Sequence, residues 1–436
     1  MRALSASSSQ HVGLPAWQAA GIDHGLVLWM LLLPIIGASL LSKFAVPFMP
    51  VDGIGLGFPL LYLAILPALL LTQAVSLHAT RLHFFCFMAA VLGGAMALHG
   101  DSVSLPSLAF LMLLHLPYVL QLEVNEAQRE RVWRFFLDLS ALIACCGLAQ
   151  YVLQHFIAAA YVFPIENFLP ASWRVTGFNM QIPIAWGAST YRANGIFMQE
   201  PSFFSQFLAI GLLFELCGPS RWWRAALYAV AMLASQSGTG LILLAAGVPV
   251  LVMRHGRWGV VLAALLAVPL LVLAAPYLHL EQLIARIGEF GSTRSSAYER
   301  FVGGFHIFEA SVGTDPLRML FGYGAGSYRE IVQNLRMPAA EMALFKMVVE
   351  FGVVGAALYF GFIAFCLLRA QGPLVIRLAM CLCLLLNGAY NTFVHSLALA
   401  LLVWPALSST GPDVARRLRS RARPFMRPRA ELARSA

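Results

Sequence analysis

Charge is what this sequence has least of. Only 11% of its 436 residues are Asp, Glu, Lys or Arg, where a soluble globular chain carries about 25%. With 60% hydrophobic residues and a mean hydropathy of +0.76, that scarcity excludes an ordinary soluble domain. A bilayer rather than one core organises such a chain, so length does not count its domains. The sequence also has no Asp-x-Asp pair and no cysteine–histidine pattern at ligand spacing, so no metal and no other cofactor is expected. Its seven cysteines are odd in number, and Cys86, Cys145, Cys146, Cys217, Cys381 and Cys383 all lie in apolar segments, where cysteine acts as a small buried hydrophobe. "GYGAGS" at 322–327 is dense in glycine but lacks the G-x-G-x-x-G form after a strand, which removes support for a nucleotide site. No charged leader followed by a small-residue cleavage site precedes the first apolar run, so that run is expected to stay as a span.

What the sequence has instead is apolar runs. They fall near 24–43, 56–76, 82–99, 105–121, 135–160, 201–218, 223–237, 240–253, 258–277, 341–368, 374–389 and 393–409. Twelve spans are expected, with both termini cytoplasmic, because the basic residues then sort by side. The inside connections hold Arg81; Arg129, Arg131 and Arg134; Arg221 and Arg224; Arg254 and Arg257; Arg369 and Arg377, while short outside connections hold little beyond Lys43. The expected order is a cytoplasmic N-terminus (1–23), spans one to five (24–160), an outer loop (161–200), spans six to nine (201–277), a larger outer loop (278–340), spans ten to twelve (341–409) and a basic cytoplasmic tail (410–436). The arginine-rich tail and much of the net charge of +9 are expected to act on orientation and on anionic membrane lipid, with no nucleic-acid partner.

The two outer loops depart from this thrift with charge. The first carries Trp173, Arg174, Trp186, Tyr191, Arg192 and Glu200; the second carries Arg286, Arg294, Arg300, Arg318, Arg329 and Arg336, with His279 and His306. One reading is a folded cap whose arginines are solvated or paired to Glu281, Glu289, Glu299, Glu309 and Asp315. The other is a phosphorylated substrate on the outer side, since guanidinium matches phosphate oxygens two at a time and stays charged in a partly dry site. "QEPSFF" starts a helix at Pro201, where free N–H groups favour an anion; Glu200 is then either a partner of the helix dipole or a carboxylate placed to take a proton. In the tenth span Lys346 and Glu350 share a helix face, whereas Glu341 and Glu350, nine apart, would lie half a turn out of phase on a regular helix. An ionisable group inside a span is by default a functional candidate.

"RANGIFMQEPSFFSQFLAIGL" (192–212), "LASQSGTGLILLAAG" (233–247), "STRSSAYERFVGGFHIF" followed by "DPLRMLFGYGAGSYRE", and "LFKMVVEFGVVG" (344–355) together resemble the bacterial O-antigen ligase/polymerase superfamily, specifically its Wzy-type polysaccharide polymerases. The likeness covers about 185–360 and the general layout, and "EPS" resembles the exopolysaccharide branch. It implies an all-α polytopic integral membrane protein of about twelve helices, GT-C-like, with two long periplasmic loops, in the bacterial inner membrane. It implies an enzyme that joins polyprenyl-diphosphate-linked oligosaccharide repeat units, acting beside a chain-length regulator and export proteins. The catalytic candidates on this resemblance are Arg192 with Arg294 or Arg300 for the leaving diphosphate, and Glu200 or Glu341 for the acceptor hydroxyl. Arg174, Tyr191, Asn194, Tyr323, Arg329 and Glu350 are expected substrate contacts. Ligases of the superfamily place a histidine where this chain has Glu341, so the acid–base assignment stays open, with His306 and His395 also candidates. A ligase, or from another class a transporter of lipid-linked sugars, remains the alternative.

Overall fold

The computed structural model describes residues 11–12, 24–46, 54–71, 74–97, 104–185, 187–218, 221–277, 281, 291, 293, 295, 297–388 and 390–407. The chain is mostly helical, and each of the twelve apolar runs contains a helix. These are α1 (His24–Ser39), α2 (Gly57–Leu71), α3 (Ala79–Ala97), α4 (Leu105–His115), α5 (Glu126–Leu153) and α6 (Pro201–Cys217). After them come α7 (Trp222–Ala234), α8 (Gly238–His255), α9 (Trp258–Ala274), α10 (Ala343–Leu368), α11 (Leu374–Leu386) and α12 (Thr392–Ala398), the last continuing as a π-turn over Leu399–Val403. Among the described residues four of them (α3, α5, α8 and α10) are each long and apolar enough to cross a membrane.

Local chemistry moves several boundaries from where hydropathy puts them. Asn125 caps α5 reciprocally with Gln128, so the helix starts at Glu126 rather than near 135. Arg129 and Arg134 therefore sit on its first turns, paired with Glu126 and Glu130. The run expected to reach 121 as one helix stops at His115, just before Pro117, and passes through a 3₁₀ turn into a strand. That strand belongs to a four-stranded sheet, ordered β1 (His11–Val12), β2 (Val75–His78), β3 (Leu120–Val124) and β4 (Pro405–Leu407). The all-α expectation is corrected to this extent. Leu120, Leu122 and Val124 are buried while Glu123 is exposed, the alternation of a half-buried strand. Arg81, buried on α3, donates to the carbonyls of Leu120 (3.4 Å) and Val403 (3.1 Å) beside it.

α6 is the central element, buried from Pro201 to Leu216. α8 crosses it closely because Gly240 and Gly247, two turns apart, leave no side chain against Ser205 and Leu213. Residues 298–335 of the segment between α9 and α10 form a π-turn (Tyr298–Gly303) and helices Gly304–Ala310, Pro316–Phe321 and Ser327–Leu335. Ile307, Val312 and Tyr328 pack there with Val349 of α10.

α10 is broken at Gly352, whose φ is +67°. The break frees carbonyls, and the glycine turn fills the vacancy: Tyr323 N–H donates to Val349 (2.9 Å) and Gly324 N–H to Glu350 (2.7 Å). A Cβ on Gly322 or Gly352 would overlap the facing backbone. The glycines of "GYGAGS" thus serve a close approach between two stretches of chain.

The connections gather in two sets. Those after odd-numbered helices meet one another: Val175 N–H with the Lys43 carbonyl (2.9 Å), Ser104 N–H with Ala325 (2.9 Å), and Ala343 N–H with Asn387 (2.8 Å). Those after even-numbered helices meet in the sheet, at Arg257 with the Gly218 carbonyl (2.6 Å) and at Leu407 with Gln371 (3.1 Å).

Candidate functional site

The Arg192–Glu200 segment enters α6 through backbone that is left-handed at both Gly195 and Ile196, φ +67° each. Glu200 sits extended at the helix start, and its carboxylate bonds no N–H of its own helix. It accepts from the Ser202 hydroxyl (2.9 Å) and the Asn179 N–H (3.2 Å), and it meets Arg300 at 3.3 Å. Arg300 comes from the π-turn Tyr298–Gly303, a local widening of the helix that often accompanies functional sites. Arg192 donates to the Ile184 carbonyl (3.3 Å), while its buried Nε has no hydrogen-bond partner. No carboxylate pairs with Arg192 among the described residues. Arg300, from the second loop, therefore reaches Glu200 in the segment that opens α6 and that also carries Arg192.

A second cluster forms where α10 begins. The helix starts at Ala343, so Glu341 lies in the non-helical approach and the half-turn phase expected between Glu341 and Glu350 does not apply. Lys346 bridges them, with Nζ 3.0 Å from Glu341 Oε2 and 3.2 Å from Glu350 Oε1. The pair expected between Lys346 and Glu350 is thus a three-membered group. Arg329 Nε adds a contact of 3.6 Å to the other oxygen of Glu341. Glu350 is wholly buried, also near the Tyr390 hydroxyl (3.5 Å) and bonded by the Gly326 backbone. Glu341 keeps 42% of its side chain exposed. Burial, reinforced by these carboxylates, pushes the phenols of Tyr328 and Tyr390 upward, so both stay neutral.

A strap of chain joins the clusters. Residues 338–341 run beside the π-turn, with Ala340 N–H donating to the Glu299 carbonyl (2.9 Å) and the Pro338 carbonyl lying against Gly303. Burial raises the Glu299 carboxyl above its ordinary range against the pull of neighbouring Arg300. Through the Ala340–Glu299 backbone bond the neighbours of Arg300 and Glu341 in the chain are in contact, and Arg300 in turn meets Glu200. Behind them Gln206 of α6 accepts from Asn387 (2.7 Å), whose carbonyl takes the first N–H of α10.

The other expected contacts are engaged by protein. Asn194 is buried, its side chain bonded to Met180 (2.7 Å), Glu166 (2.9 Å) and Gln150 (3.0 Å). Tyr191 packs on Phe163, and its backbone N–H and carbonyl are both bonded by the side-chain amide of Gln154. Arg174 donates to the Glu166 carbonyl. Tyr323 carries Arg318 over its ring at 4.7 Å and donates to Ser311 (3.3 Å). His306 pairs with Glu309 (3.5 Å), and His395 is buried against Tyr118 (2.8 Å). Arg294, with Trp186, His279, Arg286 and Glu289, lies outside the described residues. Sequence reasoning passed over Glu166 altogether and gave Lys43 no role; a lone lysine in a connection otherwise free of charge was the available signal.

Arginines carried by two loops can stabilise negative charge that builds during bond breaking, and a part-exposed carboxylate can take a proton from a hydroxyl. Scans of the chain against family models and against curated proteins give no match.

Proposed function

We propose that the chain is a multi-pass glycosyltransferase of the bacterial inner membrane that polymerises polyprenyl-diphosphate-linked oligosaccharide repeat units on the periplasmic side. The observation that carries this reading is the contact of Arg300 with Glu200 at the segment that also holds Arg192. Two of the stretches that carry the resemblance, one from each loop, meet there through residues 100 apart in the chain. Twelve spans with both termini cytoplasmic go with this reading. The sorting of connections into two sets supports that topology, because one missed span would place odd and even connections on the same side.

In the reaction, the acceptor hydroxyl oxygen bonds to the donor's anomeric carbon as the bond from that carbon to diphosphate breaks. The bonding pair leaves with the lipid diphosphate, and the hydroxyl proton passes to a carboxylate. Arg192 and Arg300 tighten on the departing charge, so they act more strongly in the transition state than before it. Glu200 holds Arg300 in place, and Glu341, the more exposed carboxylate, takes the proton. Arg294 of the same loop is the alternative to Arg300 for the leaving group, and Arg329 and Lys346 hold Glu341 in its orientation.

A second reading, a transporter of lipid-linked sugars, draws on the break in α10 at Gly352, since broken helices mark the substrate sites of many transporters. One assay separates the readings. Purified protein in nanodiscs receives a polyprenyl-diphosphate repeat unit and no other acceptor, and products are sized. A ladder of multiples with release of polyprenyl diphosphate is expected. Transfer only after a lipid A core is added would make the chain a ligase. Passage of intact substrate across a vesicle membrane without bond formation would replace the enzyme by a transporter.

A further inference from the structure

Lys43 is fully buried in the connection that follows α1. Its ammonium pairs with Oε1 of Glu166, on the short helix Pro164–Phe168 of the first outer loop, and also donates to the carbonyl of Ile196. The same Glu166 oxygen accepts from the Asn194 amide at 2.9 Å. Asn194 in turn accepts the Ile196 N–H (3.1 Å) and is held from the other side by Gln150. Beside this pair the Ser42 hydroxyl donates to Phe197 (2.8 Å) and the Ser42 carbonyl accepts from Gln199 (2.8 Å).

What these bonds hold is backbone that would not hold itself. Ile196 has φ +67°, and a β-branched residue in the left-handed region is strained. Such a conformation persists only where its surroundings over-determine it, and it tends to occur where a site needs a fixed geometry. Its carbonyl and its N–H are both taken by the Lys43–Glu166–Asn194 group. Arg192 lies just before the strained turn and Glu200 just after it, so the path of the backbone between them depends on this constraint. Two charges taken out of water are costly, and a design meant only for stability is served as well by apolar packing.

We infer that Lys43 and Glu166 are positioning residues, a buried ion pair that fixes the Arg192–Glu200 segment in the geometry its reaction needs. The inference rests on the glycosyl-transfer reading above. Neither side chain touches a reacting group; both act through Ile196 and Asn194.

The test uses the full chain in nanodiscs. K43M/E166Q removes both charges and so leaves neither buried without a partner. K43M alone leaves Glu166 uncompensated, and S42A breaks a single bond to Phe197, which keeps the test open if K43M does not fold. Two quantities are read. The first is turnover of the lipid-linked repeat unit: kcat is expected to fall about 10²-fold, the effect of an ångström-scale misplacement, with KM within about twofold of wild type. The second is amide hydrogen exchange, expected to rise in peptides covering 190–200 while 201–217 of α6 stays protected, with a smaller rise of the same kind in S42A. Unchanged kcat in K43M/E166Q, or exchange that rises equally through α6, would overturn the positioning role. If the wild-type chain makes no polymer, the transfer reading fails by itself and the exchange result still decides: a rise confined to 190–200 upholds the brace, and none refutes it.

Discussion

Arg192 is the residue on which the chemistry is most exposed to a single substitution. Its buried Nε lacks a partner and no described carboxylate neutralises it, so its charge is available to an anion. R192A should lower chain growth by about 10²–10³-fold, the usual loss when one preorganised donor to a developing charge is removed. Protein level in the membrane should not change. R192K should fail as well, because an ammonium cannot present two parallel donors to a phosphate. Polymer of wild-type length from R192A would remove Arg192 from the mechanism. The two carboxylates should separate by size of effect. E341Q deletes the proposed proton acceptor and should cost about 10²–10⁴-fold in kcat/KM. E200Q keeps the bond from Ser202 and weakens only the hold on Arg300, so its loss should be smaller. A larger loss in E200Q than in E341Q, measured on the same repeat unit, would exchange their roles.

Among the elements, α10 shows most clearly how the segment between α9 and α10 is tied to the bundle. Its break at Gly352 and the glycine turn at 322–327 are complementary, each supplying the hydrogen-bond partners that the other lacks. G352A places a Cβ on a left-handed residue against the Leu320 carbonyl. It should cost about 1–3 kcal/mol from conformation alone. In hydrogen exchange it should expose the Tyr323 and Gly324 amides first. A melting temperature and exchange pattern equal to wild type would mean that the break is incidental. The apolar runs were readable as helices because each is continuous between charged or glycine- and proline-rich breaks; the break in α10 was not, since "EFGVVG" differs little from any glycine-bearing span. The same limit applied to Glu341 and Glu350. Helical phase is a sound rule only inside a helix, and nothing in "PAAEMALF" marks Ala343 as its first residue. Asn194 looked like a ligand contact because it is polar and stands in a motif, yet its partners Gln150, Glu166 and Met180 come from positions that no local pattern links to it.

At the scale of the whole molecule, the site needs the topology. A repeat unit displayed outside the membrane can be used only if both arginine-bearing loops face that side, and the basic connections argue that they do. The packing supplies an independent constraint: connections after odd-numbered helices bond to each other, and the β-sheet collects those after α2 and α4 with the strand that follows α12. Two markers test this directly. Glu330, on the helix Ser327–Leu335, and Arg131, near the start of α5, are both exposed and belong to opposite sets. In intact spheroplasts a membrane-impermeant maleimide should label E330C, and label R131C only after the membrane is opened, with the parent chain and its seven native cysteines as the control. Equal labelling of both variants in sealed cells would contradict the alternation. Labelling of R131C alone would invert the chain, turning Arg192, Arg300 and Glu341 to the cytoplasm. A polymer built there would still need transport, and the case for an outward-facing transferase would fall with the orientation rather than with any one residue.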